Sequence, residues 1–219
     1  GCPDRSIEKS RSGAYDIKDR VLAKSILEAA RRGAGPLPVS VKTRIGYNHV
    51  DWDWVKEVLS WKLPVATFHL RTRKEMSLVP AHWDLMPEII RLRDEISPET
   101  LIIGNGDAAG LDDAKNKIKN SGCDGVMFGR AIFGNPWLFD EEKKEPSTTE
   151  KLNVMLEHTK LFVDVLGSKK NFALMKKHYK AYVNNFDGAK ELRVRLMESE
   201  TYEEIETITN EFKRLVNKS

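Results

Sequence analysis

Apolar residues first recur at helical spacing between residues 16 and 33, through Ile17, Val21, Leu22, Ile26 and Ala29, with Gly33 as a stop. The pattern then shortens into β-branched runs separated by further helical stretches. It predicts strands over residues 38–45, 64–69, 101–105 and 125–129. Helices are predicted over 53–59, 87–96 (with Pro87 in the first turn) and 112–120, the last stopped by Gly122. Strand and helix alternating at intervals of about 25–35 residues imply an α/β fold, a parallel sheet built of βα units. Four strands cannot close an eight-stranded barrel. If the architecture is a (β/α)8 TIM barrel, residues 1–139 hold its second half. The chain starts at Gly1-Cys2-Pro3, without a methionine and inside a loop. It therefore reads as a fragment whose missing N-terminal half of the barrel, four strands, would precede Gly1.

After Phe139 the pattern changes. Residues 140–147 form a charged linker that ends beside Pro146, and Ser147-x-x-Glu150 carries a capping-box signature. From there no strand is expected, and 148–219 reads as a small all-α helical domain. One helical stripe runs through Leu152, Met155, Leu156, Thr159, Phe162, Val163 and Leu166. A second runs through Phe172, Met175, Tyr179, Tyr182, Val183 and Phe186. A third helix, capped by Thr201-x-x-Glu204, presents Ile205, Ile208, Phe212 and Leu215.

Composition adds exclusions. Hydrophobic content of 40% and charged content of 32% fit a soluble globular protein. No apolar run approaches the roughly 18 residues of a membrane span, and no signal peptide opens the chain. Cys2 and Cys123 stand in unrelated contexts, so neither a metal site nor a disulfide framework is expected, and a reducing cytoplasm is the expected location. The net charge of +3 decides little, but its distribution is uneven. Lys169, Lys170, Lys176, Lys177, Lys180, Lys190, Arg193 and Arg195 face only Asp187 and Glu191 in the same stretch. Such a patch either solvates a helix face or attracts a polyanion.

The chemistry is expected at the C-terminal ends of the strands, where α/β barrels carry their sites. The four ends read Lys42-Thr43-Arg44, His69-Leu70-Arg71-Thr72-Arg73, Asn105-Gly106-Asp107 and Gly129-Arg130. Polar groups finishing apolar strands are costly unless they meet a ligand or each other. Glycine lets a backbone N–H approach a phosphate, and arginine can clamp its oxygens. The last two ends therefore suggest a phosphate site, for FMN or for a phosphorylated sugar. Cys2, among turn formers, is a candidate proton donor, since an exposed thiol carries a transferable proton. Cys123 precedes the fourth strand, on the face that serves stability, and reads as structural.

Taken in order, these blocks resemble the tRNA-dihydrouridine synthases: Gly1-Cys2-Pro3, Val41-Lys42-Thr43-Arg44, His69 to Arg73, Asn105-Gly106-Asp107, Gly129-Arg130-Ala131 and Gly134-Asn135-Pro136-Trp137-Leu138-Phe139. The helical tail agrees more loosely, through Met175-Lys176-Lys177-His178-Tyr179 and Glu191-Leu192-Arg193. The resemblance implies that NADPH reduces FMN, that the flavin passes hydride to C6 of a uracil in tRNA, and that a cysteine protonates C5. By this resemblance Cys2 is the proton donor, and Lys42 and His69 meet the flavin ring. Asn105, Gly106, Asp107, Gly129 and Arg130 hold its phosphate. Arg71 and Arg73 meet the RNA or the target base, and Lys176, Lys177, Lys180, Arg193 and Arg195 grip the tRNA backbone. Two departures from the family pattern stand out: Gly13-Ala14-Tyr15-Asp16-Ile17 after the cysteine loop, and Leu70 in place of a small residue. Without the preceding strands, residues 1–219 are expected to bind FMN poorly. The competing readings are an FMN-dependent dehydrogenase of a free pyrimidine, of the dihydroorotate type, and a noncatalytic RNA-binding fragment.

Overall fold

The computed structural model describes residues 1–142 and 145–216. The chain divides into two compact units, Gly1–Arg130 and Ala131–Ser219. Residues 131–139, grouped above with the strands, therefore go with the helical unit. The expected linker at 140–147 contains Lys143 and Lys144, which lie outside the described residues.

The first unit opens with α1 (Arg5–Lys9), a 3-10 turn (Gly13–Ile17) and α2 (Arg20–Ala34). Asp19 caps α2 by accepting from the Leu22 N–H at 3.0 Å. Then follow β1 (Val41–Arg44), α3 (Trp52–Ser60), β2 (Val65–His69), α4 (Met86–Ile96), β3 (Leu101–Asn105), α5 (Leu111–Ser121) and β4 (Gly125–Met127). Asp51 caps α3 through the Trp54 N–H at 2.8 Å and also holds Arg20 at 3.0 Å. Gly122, at φ 74°, ends α5 in the left-handed conformation, as its position after the helical run predicts.

All four strands are parallel and lie in the order β1-β2-β3-β4. Register brings Arg44 beside His69 and His69 beside Asn105, so the polar strand ends form one row. The core beneath them joins Ala66, Phe68 and Ile102 of the sheet to Trp54, Val55, Val58 and Leu59 of α3 and to Met86, Ile89 and Leu92 of α4. Cys123 is buried here and its thiol donates to the Gly125 carbonyl, a structural placement.

Helix α2 departs from expectation. Ala23 and Leu27, one turn apart, are its buried positions, whereas Val21 and Ile26 are exposed. Apolar spacing over a whole helix does not say which side meets the core, and here a narrow stripe suffices.

Among its described residues the second unit contains four α-helices, α6 (Thr148–Leu166), α7 (Ala173–Tyr182), α8 (Ala189–Glu198) and α9 (Tyr202–Val216), where the sequence pattern gave three. The Ser147–Glu150 capping box forms as predicted. Helix α8 was hidden because its inward-turned residues, Ala189, Leu192 and Leu196, stand amid lysine, arginine and glutamate. The core combines Leu152, Met155 and Leu156 of α6 with Met175, Tyr179 and Tyr182 of α7 and Ile205 of α9. Leu215, expected on the core face, is exposed instead. Residues 217–219, assigned above to the same domain, lie outside the described residues. Among the described residues no helix is long and apolar enough to cross a membrane, and no cluster of His, Cys, Asp and Glu could hold a metal ion.

Candidate active site

The strand ends gather several cations, of which Arg71 and Arg130 are linked by one carboxylate, Asp107. Arg71, buried just past β2, uses every nitrogen. Its Nε donates to the Val79 carbonyl at 2.7 Å, one terminal nitrogen lies 3.2 Å from His69 Nε2, and the other pairs with Asp107. Asp107 also accepts from the Ala81 N–H at 2.9 Å and from Arg130 at 2.9 Å. Arg130 is otherwise open, with its side chain 72% exposed. The pull of these partners, the Arg71 hydrogen bond foremost, holds Asp107 below the usual carboxylate range.

Arg44 is the second buried cation. It donates from Nε to the Gly1 carbonyl at 3.1 Å, and from one terminal nitrogen to the Thr72 and Met76 carbonyls at 2.9 and 2.8 Å. It ties β1, the Cys2 loop and the 72–76 turn together. Lys42, two residues earlier, is exposed, yet protein around its amine and then the charge of Arg44 lower its pKa.

His69 sits within this positive field. Burial first, then Arg44, Lys42 and Arg71, lower its pKa from 6.5 to about 3. The ring is therefore neutral at physiological pH. Because Arg71 has only donors, Nε2 of His69 must accept, which places the ring proton on Nδ1. The folded pKa lies below the unfolded one, so His69 favours folding fully above about pH 6.5. That contribution fades as pH falls towards 3. Replacing His69 with Asn is expected to flatten the pH dependence of unfolding free energy across this window, measured by urea titration.

Gly106 closes against the same ring. Its φ is 128°, and a Cβ there would lie 2.7 Å from the Ala81 Cβ and 3.3 Å from the His69 ring. Only glycine fits this backbone and this space. Gly106→Ala is expected to cost about 1–3 kcal/mol of stability by denaturant unfolding. The Gly106 carbonyl is fixed by the Trp83 indole N–H at 2.8 Å, and Asn105 donates across to the Met127 carbonyl at 2.8 Å. A Cβ on Gly129 would meet open space.

Cys2 is exposed, and its carbonyl accepts from the Ala14 N–H at 2.9 Å. The Gly1 carbonyl beside it is held by Arg44, so the thiol loop joins the strand-end row.

The structure thus brings Cys2, Lys42, His69, Asn105, Gly106, Asp107 and Arg130 to one row of strand ends, with Gly129 directly before Arg130. Of the two arginines assigned to RNA or the target base, Arg71 is buried with all its nitrogens engaged, and Arg73 pairs with Glu8 with its side chain 17% exposed. Arg44 was visible as a polar strand end, but its linking role was not legible. Trp83 gave no sequence signal at all.

In the helical unit, Lys176, Lys177, Lys180, Lys190 and Arg193 line a groove of about 530 Å³ between α7 and α8, with Val194, Met197 and Glu198. Arg193 also donates to the Val183 carbonyl at 2.7 Å. Arg195, expected with this cluster, instead pairs with Glu211 of α9 at 2.6 Å. On a helix, residues two apart point to different sides.

The parallel βα sheet, with a cationic row at its strand ends, defines the class as an α/β protein. The dihydrouridine synthase family model matches residues 1–217, and the chain belongs to that family. It is 38% identical over 217 residues to a probable tRNA-dihydrouridine synthase 2 of Bacillus subtilis, covering 98% of this chain and 66% of that protein. It is 40% identical over 215 residues to a probable tRNA-dihydrouridine synthase of Staphylococcus aureus, covering 97% and 65% respectively. A Staphylococcus epidermidis relative of the same name is also 40% identical. The chain spans just under two-thirds of the length of these relatives.

Proposed function

We propose that this chain provides the second half of a TIM barrel and the helical domain of a tRNA-dihydrouridine synthase, which reduces uridine to 5,6-dihydrouridine in tRNA. The sequential strand order supports the barrel, because a doubly wound sheet would reverse order at a switch point. The observation that carries the function is the match to the dihydrouridine synthase family over residues 1–217, with His69 and Arg71 3.2 Å apart in the strand-end row.

FMN fits these residues. A phosphate dianion needs an exposed cation and open backbone, which Arg130 and the space at Gly129 supply. Asp107 then orients Arg130, Gly106 lets Ala81 and the His69 ring pack closely beneath the site, and Asn105 secures the β3 end against β4. When bound and reduced by NADPH, the flavin supplies the hydride. Lys42 favours negative charge on the ring system, and His69 offers its Nδ1 proton to an acceptor. Cys2 gives its proton to C5 of the uracil as C6 receives hydride, and the thiolate is reprotonated from solvent.

A uridine inside folded tRNA must leave its stack to be reduced. The groove of Lys176, Lys177, Lys180, Lys190 and Arg193 suits the phosphate backbone, which a free-pyrimidine dehydrogenase would have no need to bind. Replacing Lys176, Lys177 and Lys180 together with Ala is expected to weaken tRNA binding and reduce the slope of log K against log salt by about 2–3. Filter binding across a potassium chloride series measures this. NADPH oxidation that starts only when tRNA is added tests the whole reading. Oxidation driven equally by free uracil would favour the pyrimidine dehydrogenase.

A further inference from the structure

The segment that carries Cys2 reaches the hydrophobic core through Ala14 and Ile17, and its N-terminal part, residues 1–12, adds no buried apolar residue. Helix α1 has no buried residue, yet its Glu8 turns inward with a side chain only 10% exposed and pairs with Arg73. Glu8 Oε1 and Arg73 Nε are buried without any hydrogen-bond partner, so the pair is what offsets the burial of both charges.

Arg73 is fixed from the other side. Its own N–H and that of Lys74 donate to the Gly46 and Tyr47 carbonyls at 2.9 and 2.8 Å. The Arg73 guanidinium lies 5.6 Å from the Tyr47 ring centroid, and Lys18, at the far end of the cysteine segment, lies 4.2 Å from the same ring. Lys18 also lies 4.7 Å from Tyr15. Between these fastenings the turn closes on Cys2. Gly13, at φ 70°, leaves no room for a side chain, since a Cβ would sit 2.8 Å from the Cys2 carbonyl.

We propose that the Glu8–Arg73 ion pair, with Tyr47 and Lys18, is a latch that holds the Cys2 loop in place, so that Glu8 and Arg73 are positioning residues. The latch follows from geometry; its catalytic meaning rests on the functional reading above. Nothing in this role requires Arg73 to touch RNA.

Hydrogen exchange followed by mass spectrometry tests the latch on the chain itself. In Glu8→Gln and Arg73→Met, residues 1–18 are expected to exchange about tenfold faster, with Val65–His69 and Leu101–Asn105 unchanged. Arg73→Lys keeps the charge and is expected to recover most of the protection. Unchanged exchange in 1–18 for both charge-removing variants overturns the latch. In the holoenzyme, Arg73→Met is expected to lower kcat about tenfold, with KM for tRNA and the salt slope of tRNA binding retained. A salt slope smaller by about one would make Arg73 a phosphate contact and overturn its positioning role. A wild-type holoenzyme with no tRNA-dependent NADPH oxidation would sink the functional reading, while the exchange result still decides the latch.

Discussion

Replacing Cys2 with Ala is expected to slow dihydrouridine formation by about two to four orders of magnitude, the range a positioned proton donor contributes. Binding of tRNA and the unfolding transition should stay as in the wild type. Cys2 is exposed and its anchoring contact is a backbone carbonyl, so removing the sulfur empties no core. Cys2→Ser retains a donor of much weaker acidity and should fall between the two. The measurement is the initial rate on an unmodified tRNA transcript in the holoenzyme. An alanine variant as fast as wild type would remove the thiol from the chemistry and assign the C5 proton to another donor.

The largest structural effect is expected at Arg71. Arg71→Leu loses the links to Asp107, His69 and the Val79 carbonyl together. Breaking a fully buried charge pair costs about 3–5 kcal/mol. Here Asp107 is 32% exposed and keeps Arg130, so about 2–3 kcal/mol is the better expectation. The same variant removes one of the positive charges that depress His69, so the histidine pKa should rise while burial still holds it below 6.5. Urea unfolding reads the first effect and an NMR titration of His69 reads the second. An unchanged midpoint would show that the Arg71 network adds nothing to stability.

Much of the fold could be read from the chain because local signals agreed with the tertiary arrangement. Gly122 ends α5 and the capping box starts α6, each where turn and cap chemistry placed it. Strand ends were less sharp, since β1 and β4 pair over fewer residues than their apolar runs extend. Helix α8 escaped because its buried face is one alanine and two leucines in a charged stretch. At the site, residue types were legible and partners were not. Both arginines after β2 look alike in sequence, and only packing shows one spanning His69 and Asp107 while the other holds Glu8. Likewise Arg193 and Arg195 are near neighbours in the chain, but helical geometry sends one to the groove and the other to Glu211.

We propose that one cationic row seats a flavin nucleotide whose electrons reach a uridine of a folded RNA. Mass spectrometry of a tRNA transcript after incubation with the holoenzyme, FMN and NADPH addresses it directly. A gain of two hydrogens at a uridine is expected, with free uracil left unreduced beside it. Reduction of free uracil at a comparable rate, with the transcript untouched, would contradict it.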